Sequence, residues 1–172
     1  MSLDHLWAGW RSDYVATVSD DASEVGEGAP ERCVFCRLLA DESADESNFV
    51  VYRGELSAAV LNAFPYTSGH LLVMPIRHVR EPDELTDKES EALWRSAWDA
   101  VSAIRAAYAP DGVNLGVNLG RAAGAGIPDH LHEHVLPRWI GDTSFITTVA
   151  SARVLPEALS DSAKRLRAAW PT

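Results

Sequence analysis

Positive charge is scarce in this chain: 15 Lys and Arg stand against 25 Asp and Glu in 172 residues, a formal net charge of -10. Sequence-independent binding of nucleic acid draws its affinity from Lys and Arg meeting phosphates, so nucleic acid is not an expected partner. Much of the acidity lies in 20–31 and 41–46, which read as solvated loops, and an anionic small molecule remains compatible with local donors. Long apolar runs are missing too. No stretch approaches the ~20 residues that span a bilayer, and the first residues lack the basic-then-apolar order of an export signal. The expected setting is cytoplasmic, away from membranes. Cysteine is nearly absent, and the two present are spaced Cys33-Val34-Phe35-Cys36. In a reducing compartment a CxxC is a zinc half-site or a redox pair more often than a structural disulfide. Zinc would need two further ligands.

The length suits one well-packed domain. Residues 1–32 read as an N-terminal arm carrying Trp7, Trp10 and Tyr14, followed by an acidic connector; the domain is expected over 33–172. Apolar runs at 48–53 and 57–63, separated by Gly54 and Glu55, suit a hairpin. A third strand over 70–76 ends near Pro75, which implies a sheet edge or a strand terminus. Thr86 and Glu89 form a capping box, and Leu93, Ala97, Val101, Ile104 and Tyr108 recur at helical spacing up to Pro110-Asp111-Gly112. Trp94 and Trp98, one turn apart, are expected to pack in the core or against another subunit. Strands over 112–119 and 130–138 flank a glycine-rich connection. A last helix over 156–170 offers Leu155, Leu159, Leu166 and Trp170 as a buried stripe.

This order predicts an α+β fold, an antiparallel sheet of about five strands with one long helix and a C-terminal helix. Sequential strands usually pair, which would set the strand over 130–138 beside the one over 112–119. In the latter, Asn114-Leu115-Gly116 and Asn118-Leu119-Gly120 repeat at a period of four, so both asparagines share a face.

Three of the six histidines fall in His130-Leu131-His132-Glu133-His134-Val135-Leu136, followed by Pro137-Arg138. Alternate residues of a strand share a face, which would aim the three imidazoles one way. Imidazole serves as nucleophile, proton shuttle and metal ligand near neutral pH. The trio alone is compatible with catalysis or with a metal clamp.

Its context is more specific. Asn62-x-x-Pro65-x-x-x-Gly69-His70-x-Leu72-Val73-x-Pro75-x-x-His78, then Asn118-x-Gly120, then the histidine run ending in Pro137-Arg138-Trp139, resembles the histidine triad (HIT) superfamily of nucleotide hydrolases and transferases. The resemblance implies that His132 is the nucleophile toward the α-phosphorus of a purine nucleotide or dinucleoside polyphosphate, forming a covalent nucleotidyl-histidine that water or phosphate resolves. It implies that His134 assists at the phosphate oxygens and leaving group, that Asn118, Gly120 and Gly126 help to hold the phosphate, and that Asn62 lies near the ribose. Some superfamily members bind structural zinc through positions that match Cys33, Cys36, His78 and His130, so His130 is assigned as ligand and anchor within the catalytic trio. A homodimer is implied as well, with the long helix and its tryptophans at or near the interface.

Two positions depart from the usual pattern. Glu133 is charged where relatives carry an apolar residue, and its face of the strand is expected to meet solvent or a partner. Gly126-Ile127-Pro128-Asp129 replaces the Gln or Ser that many relatives carry before the triad. That loop and the Pro-Arg-Trp ending resemble the actinobacterial subgroup that includes diadenosine tetraphosphate phosphorylases. Hydrolysis, phosphorolysis and a nucleotide-binding module without turnover all stay open at this level.

Overall fold

The structure is a computed structural model, and it describes residues 30–142 and 155–171. The arm and most of the connector, with Trp7, Trp10 and Tyr14, lie outside the described residues. Five strands form one antiparallel sheet: β1 (Val50–Arg53), β2 (Ser57–Leu61), β3 (Leu71–Pro75), β4 (Gly112–Val117) and β5 (Glu133–Arg138). Their order across the sheet is β1-β2-β3-β5-β4. Helices α1 (Val34–Leu39), α2 (Asp87–Tyr108) and α3 (Leu159–Ala169) complete the described elements longer than one 3-10 turn.

The sheet separates two apolar layers because strand side chains alternate between its faces. On one face α2 and α3 bury Leu93, Ala100, Val101, Ile104 and Leu166 against Leu61, Leu71, Val73 and Val135. On the other, α1 contributes Phe35 and Leu39 against Val60, Leu72 and Met74. Each fully buried Leu, Ile or Val contributes roughly 1.5–3 kcal/mol relative to exposure. The capping box at the start of α2 forms as read: Thr86 Oγ1 accepts from the Glu89 N-H at 3.3 Å and Glu89 Oε2 accepts from the Thr86 N-H at 2.9 Å. Arg77 then holds both oxygens of Glu89 at 2.7 and 2.8 Å.

Several boundaries differ from the sequence expectation. Phe49 adopts a left-handed φ of 56°, so β1 begins at Val50. Pro75 is a strand terminus, one of the two settings expected for it, but in the interior of the sheet rather than at its edge. It pairs with Ser57 on one side, while pairing with β5 stops at Val73–Glu133 on the other. Leu155 stays exposed, whereas Leu166 is fully buried and Leu159 and Trp170 pack against the core. Trp94 and Trp98, 55% and 48% exposed, are not core residues of this chain. They meet edge to face at 5.6 Å on the surface of α2.

The histidine run needs the largest correction. The ladder of β5 starts at Glu133, so His130 and His132 precede it and only His134 lies on the strand. Alternation persists because the lead-in is extended. Leu131 enters the layer under α2, while His130 and His132 turn to the other face, 5.6 and 5.1 Å from the Phe35 ring. Without ladder partners the lead-in is held by two bonds of its own, Leu131 N-H to the Val79 carbonyl at 2.7 Å and His130 Nε2 to the Pro75 carbonyl at 3.0 Å.

Glu133 meets a different setting from the one expected. It lies between Val73 and Val117, and its Oε2 is buried with no hydrogen-bond partner among the described residues. Burial pushes its carboxyl up to about 7. Between the ordinary carboxylate value and 7 the folded chain keeps a proton that the unfolded chain has lost, so stability falls as pH rises through that window. Glu133→Gln is expected to raise stability by about 1–3 kcal/mol near pH 8 and to change it little near pH 4. Thermal melts of the two proteins at both pH values check this.

Candidate active site and metal cluster

Cys33 caps the N-terminus of α1, its Sγ 3.5 Å from the Cys36 N-H, so the first turn of the helix brings the two thiols together. His78 Nδ1 lies 3.2 Å from Cys36 Sγ, and His130 Nδ1 lies 3.3 Å from Cys33 Sγ and 3.6 Å from Cys36 Sγ. All four ligand atoms fall within 4.8 Å of one another. Tetrahedral bonds of about 2.3 Å to sulfur and about 2.0–2.1 Å to nitrogen set ligand atoms roughly 3.4–3.8 Å apart, and the three sulfur–nitrogen separations of 3.2, 3.3 and 3.6 Å lie near that range. The Pro75 carbonyl accepts from His130 Nε2-H, which leaves the Nδ1 lone pair facing the thiols, the tautomer that a metal ligand needs. Burial and the neighbouring Cys33 push the Cys36 thiol up to about 12; a bound cation would reverse this by stabilising the thiolate. The four residues read from the resemblance therefore converge, although they come from α1, the segment after β3 and the lead-in to β5.

Next to this cluster, His132 is 5% exposed. Its Nδ1 lies 2.8 Å from the His130 carbonyl oxygen, which can only accept, so Nδ1 carries the proton and the Nε2 lone pair is left free. Burial lowers its pKa below the usual imidazole value, and the ring stays neutral at neutral pH. A neutral imidazole with one nitrogen anchored and the other unprotonated is what a nucleophile or a general base requires.

His134, 5.1 Å away between ring centres, has the complementary arrangement. The Tyr66 N-H donates to His70 Nδ1 at 3.1 Å, so a neutral His70 carries its proton on Nε2 and donates it to His134 Nδ1 at 2.9 Å. That forces the proton of His134 onto Nε2, which points away from the protein core toward Asn118, 3.4 Å from its side-chain amide. A bond there requires the amide to turn its oxygen toward the ring. Burial and the adjacent His132 push His134 down to about 4. One histidine thus presents a lone pair and its neighbour an N-H.

The remaining sequence candidates are spread along the same face. Asn62 closes its own turn, accepting from the Phe64 N-H at 2.9 Å, and its Nδ2 stands 3.3 Å from His70 Nδ1. Gly120, at φ 73°, turns the chain out of β4 into a 3-10 turn, where its carbonyl accepts from the Ala123 and Ala125 N-H groups. A Cβ at Gly120 or Gly126 would meet nothing within 4 Å, so both leave open space above the β4–β5 connection. His70, part of the motif but given no role in the sequence reading, sets the tautomer of His134 directly. Tyr66, Asn114 and Leu136 were missed. With Gly116, Asn118 and His134 they line a cavity of about 200 Å3. The Asn-Leu-Gly repeat was the available signal for Asn114, and nothing in the sequence singled out Tyr66.

A domain model for the HIT family matches residues 43–139, the span that holds the sheet and the triad. The chain belongs to the HIT family. Among proteins similar to this HIT chain is AP-4-A phosphorylase of Mycobacterium tuberculosis, 39% identical over 168 residues, covering 98% of this chain and 85% of the relative. The bis(5'-nucleosyl)-tetraphosphatase [asymmetrical] of Schizosaccharomyces pombe is 37% identical over 95 residues, or 55% of this chain and 52% of that one. The crystal structure of a Zn-bound histidine triad family protein from Mycobacterium smegmatis superposes with a TM-score of 0.66 at 30% identity, covering 82% of this HIT chain and 94% of the other. Among the described residues, no helix is long and apolar enough to cross a membrane.

Proposed function

We propose that this HIT chain is a nucleotide hydrolase or nucleotidyltransferase that cleaves dinucleoside polyphosphates, or related purine nucleotides, at the α-phosphate through a covalent nucleotidyl-His132. The observation that carries this reading is the bond from His132 Nδ1-H to the His130 carbonyl, which leaves Nε2 unprotonated on a buried ring. Nε2 attacks the α-phosphorus, an N-P bond forms, and the P-O bond to the leaving phosphate breaks with its electron pair going to that oxygen. His134 Nε2-H lies where it donates to the phosphate or to the departing oxygen. Asn118 and the backbone of Gly120 and Gly126 hold the same charge, and Asn62 sits near the ribose. An acceptor oxygen then attacks the same phosphorus and His132 leaves.

Two relatives act on this substrate class by name. The name of the phosphorylase supports inorganic phosphate rather than water as the acceptor here. Incubating the protein with diadenosine tetraphosphate, with and without inorganic phosphate, separates the two: ADP formed only with phosphate means phosphorolysis, and AMP formed without it means hydrolysis. No product under either condition, with no nucleotidyl adduct in the intact-mass spectrum, overturns the reading.

His70 acts through His134. His70→Leu is expected to lower turnover by about 10²-fold, because His134 then has no forced tautomer. His70→Gln, which retains a donor at the same depth, is expected to recover part of the loss.

Zinc is the proposed occupant of the Cys33, Cys36, His78 and His130 cluster. Two thiolates and two imidazoles form a closed set suited to structure rather than catalysis, and a relative of known structure is Zn-bound. The working form is a cytoplasmic homodimer. Support for the dimer comes from β4, which ends the sheet with Leu115 and Val117 exposed, and from the uncovered Trp94 and Trp98. Gel filtration with light scattering tests it, and a monomer at micromolar concentration overturns it.

A further inference from the structure

Tyr108 closes α2 with its ring against the turn that leads into β3. Gly69 in that turn has a φ of 82°, and a Cβ there would lie 2.6 Å from the Tyr108 ring. The ring takes the space a side chain would need and rests on bare main chain, one residue before His70. Only glycine permits both the left-handed φ and this approach.

The ring is itself clamped. Its hydroxyl donates to Glu157 Oε2 at 2.8 Å, Ser162 Oγ donates to the same oxygen at 2.7 Å, and Arg165 meets Glu157 Oε1 at 2.9 Å. The Arg165 guanidinium also stands over the ring, 5.2 Å from its centre. Burial pushes the Tyr108 hydroxyl up to about 12, so it stays a donor at neutral pH. Glu157, Ser162 and Arg165 belong to α3 and the residues before it, beyond the 43–139 span of the family match. Nucleotidyl transfer as described above uses none of them.

The far side of the same turn assigns the proton of His134. His70 N-H donates to the Thr67 carbonyl at 3.3 Å, which folds the turn so that the Tyr66 N-H reaches His70 Nδ1 at 3.1 Å. That bond leaves the His70 proton on Nε2, 2.9 Å from His134 Nδ1. Thr67 Oγ1, donating to the Pro137 carbonyl at 3.1 Å, ties the outer part of the turn to β5. The inner part, at Gly69, rests on Tyr108. Glycine has no side chain to restrict its own φ, so without the ring the turn loses the contact that keeps the Tyr66 N-H on one nitrogen of His70.

Resting on nucleotidyl transfer through His132, we propose that Tyr108, clamped by Glu157, is a positioning residue. Its ring holds Gly69 so that the turn keeps His70 donating to His134, and the His134 proton stays on Nε2, where it meets the phosphate or the departing oxygen. The C-terminal helix thereby acts on the chemistry without touching the substrate.

Nitrogen-15 spectra of the full-length protein labelled at histidine read each ring's tautomer independently of activity. In the wild type His134 is expected to carry its proton on Nε2 alone. In Tyr108→Leu both of its tautomers are expected, while His132 keeps its proton on Nδ1. Adduct formation from diadenosine tetraphosphate is expected to slow by about ten-fold or more in that variant. Tyr108→Phe restores the ring on Gly69 and is expected to recover the tautomer and all but about two- to three-fold of the rate. Glu157→Ala removes the same clamp and is expected to cost a similar factor, with a minor Nδ1-H form of His134. Val101→Ala, two turns earlier in α2, loosens the core away from Gly69 and is expected to leave tautomer and rate unchanged well below its melting temperature. An unaltered His134 tautomer in Tyr108→Leu, or the same change in Val101→Ala, overturns the positioning role even if turnover through His132 stands. Should Tyr108→Leu fail to fold, absence of the minor form in Glu157→Ala overturns it. A tautomer that follows Tyr108 in a protein that forms no adduct keeps the positioning of the proton and overturns the transfer reading instead.

Discussion

Alanine at His132 is expected to reduce nucleotide release by about 10⁴-fold or more and to remove the covalent adduct from the mass spectrum, while the metal cluster stays loaded. The size of the effect follows from the geometry. His132 Nε2 is the lone pair left free by the bond to the His130 carbonyl, 2.8 Å away. His134 cannot substitute for it. Its Nδ1 faces His70 at 2.9 Å and its Nε2 bears the proton that His70 forces there. His130 cannot substitute either, because its Nε2 is taken by the Pro75 carbonyl and its Nδ1 faces two thiols. A single nitrogen is left for attack on phosphorus. A thermal melt establishes that the variant is folded, and wild-type turnover or a persisting adduct in it would sink the assignment.

Serine at Cys33 or Cys36 is expected to release one metal ion per chain and to lower stability by several kcal/mol. Structural zinc in small domains is worth about 10–16 kcal/mol of apparent binding energy, and part of that survives as binding to the remaining ligands. At roughly 2–4 °C per kcal/mol for a chain of this size, a loss of about 4 kcal/mol moves the melting temperature by roughly 8–16 °C. Elemental analysis and a melt, with and without chelator, read both quantities. Turnover should also fall, because the metal cluster holds the residue whose carbonyl orients His132. Metal retained in Cys33→Ser but lost in His132→Ala would place the ion in the histidine trio and refute a structural cluster.

Much of this molecule was legible in local sequence, for reasons that are themselves local. The helix α2 starts where Thr86 and Glu89 satisfy each other's backbone donors, and its buried face follows a period of 3.6 residues. The hairpin of β1 and β2 follows from the break at Gly54 and Glu55. The histidine face survives although His130 and His132 stand outside the ladder, since an extended chain alternates its side chains with or without strand partners. The boundaries were less legible. Phe49 turns left-handed, and pairing of β3 with β5 ends before Pro75, because strand ends depend on neighbours distant in sequence. Trp94 and Trp98 show the same limit from the other side: helical spacing puts them on one face without saying what covers it.

The sequence by itself determined the α+β order of elements and the family motifs, because each rests on residue type and spacing, and the resemblance to the HIT superfamily pointed to the four residues of the Cys/His cluster. Tertiary structure alone decided what distinguishes three chemically identical imidazoles. Tautomers depend on which acceptor or donor lies within hydrogen-bond reach: a main-chain carbonyl for His132, the ring of His70 for His134, and the Pro75 carbonyl for His130, 55 residues away. Likewise the half-buried carboxyl of Glu133 exists only once β5 lies between β3 and β4. A motif names the groups, and packing assigns their protons.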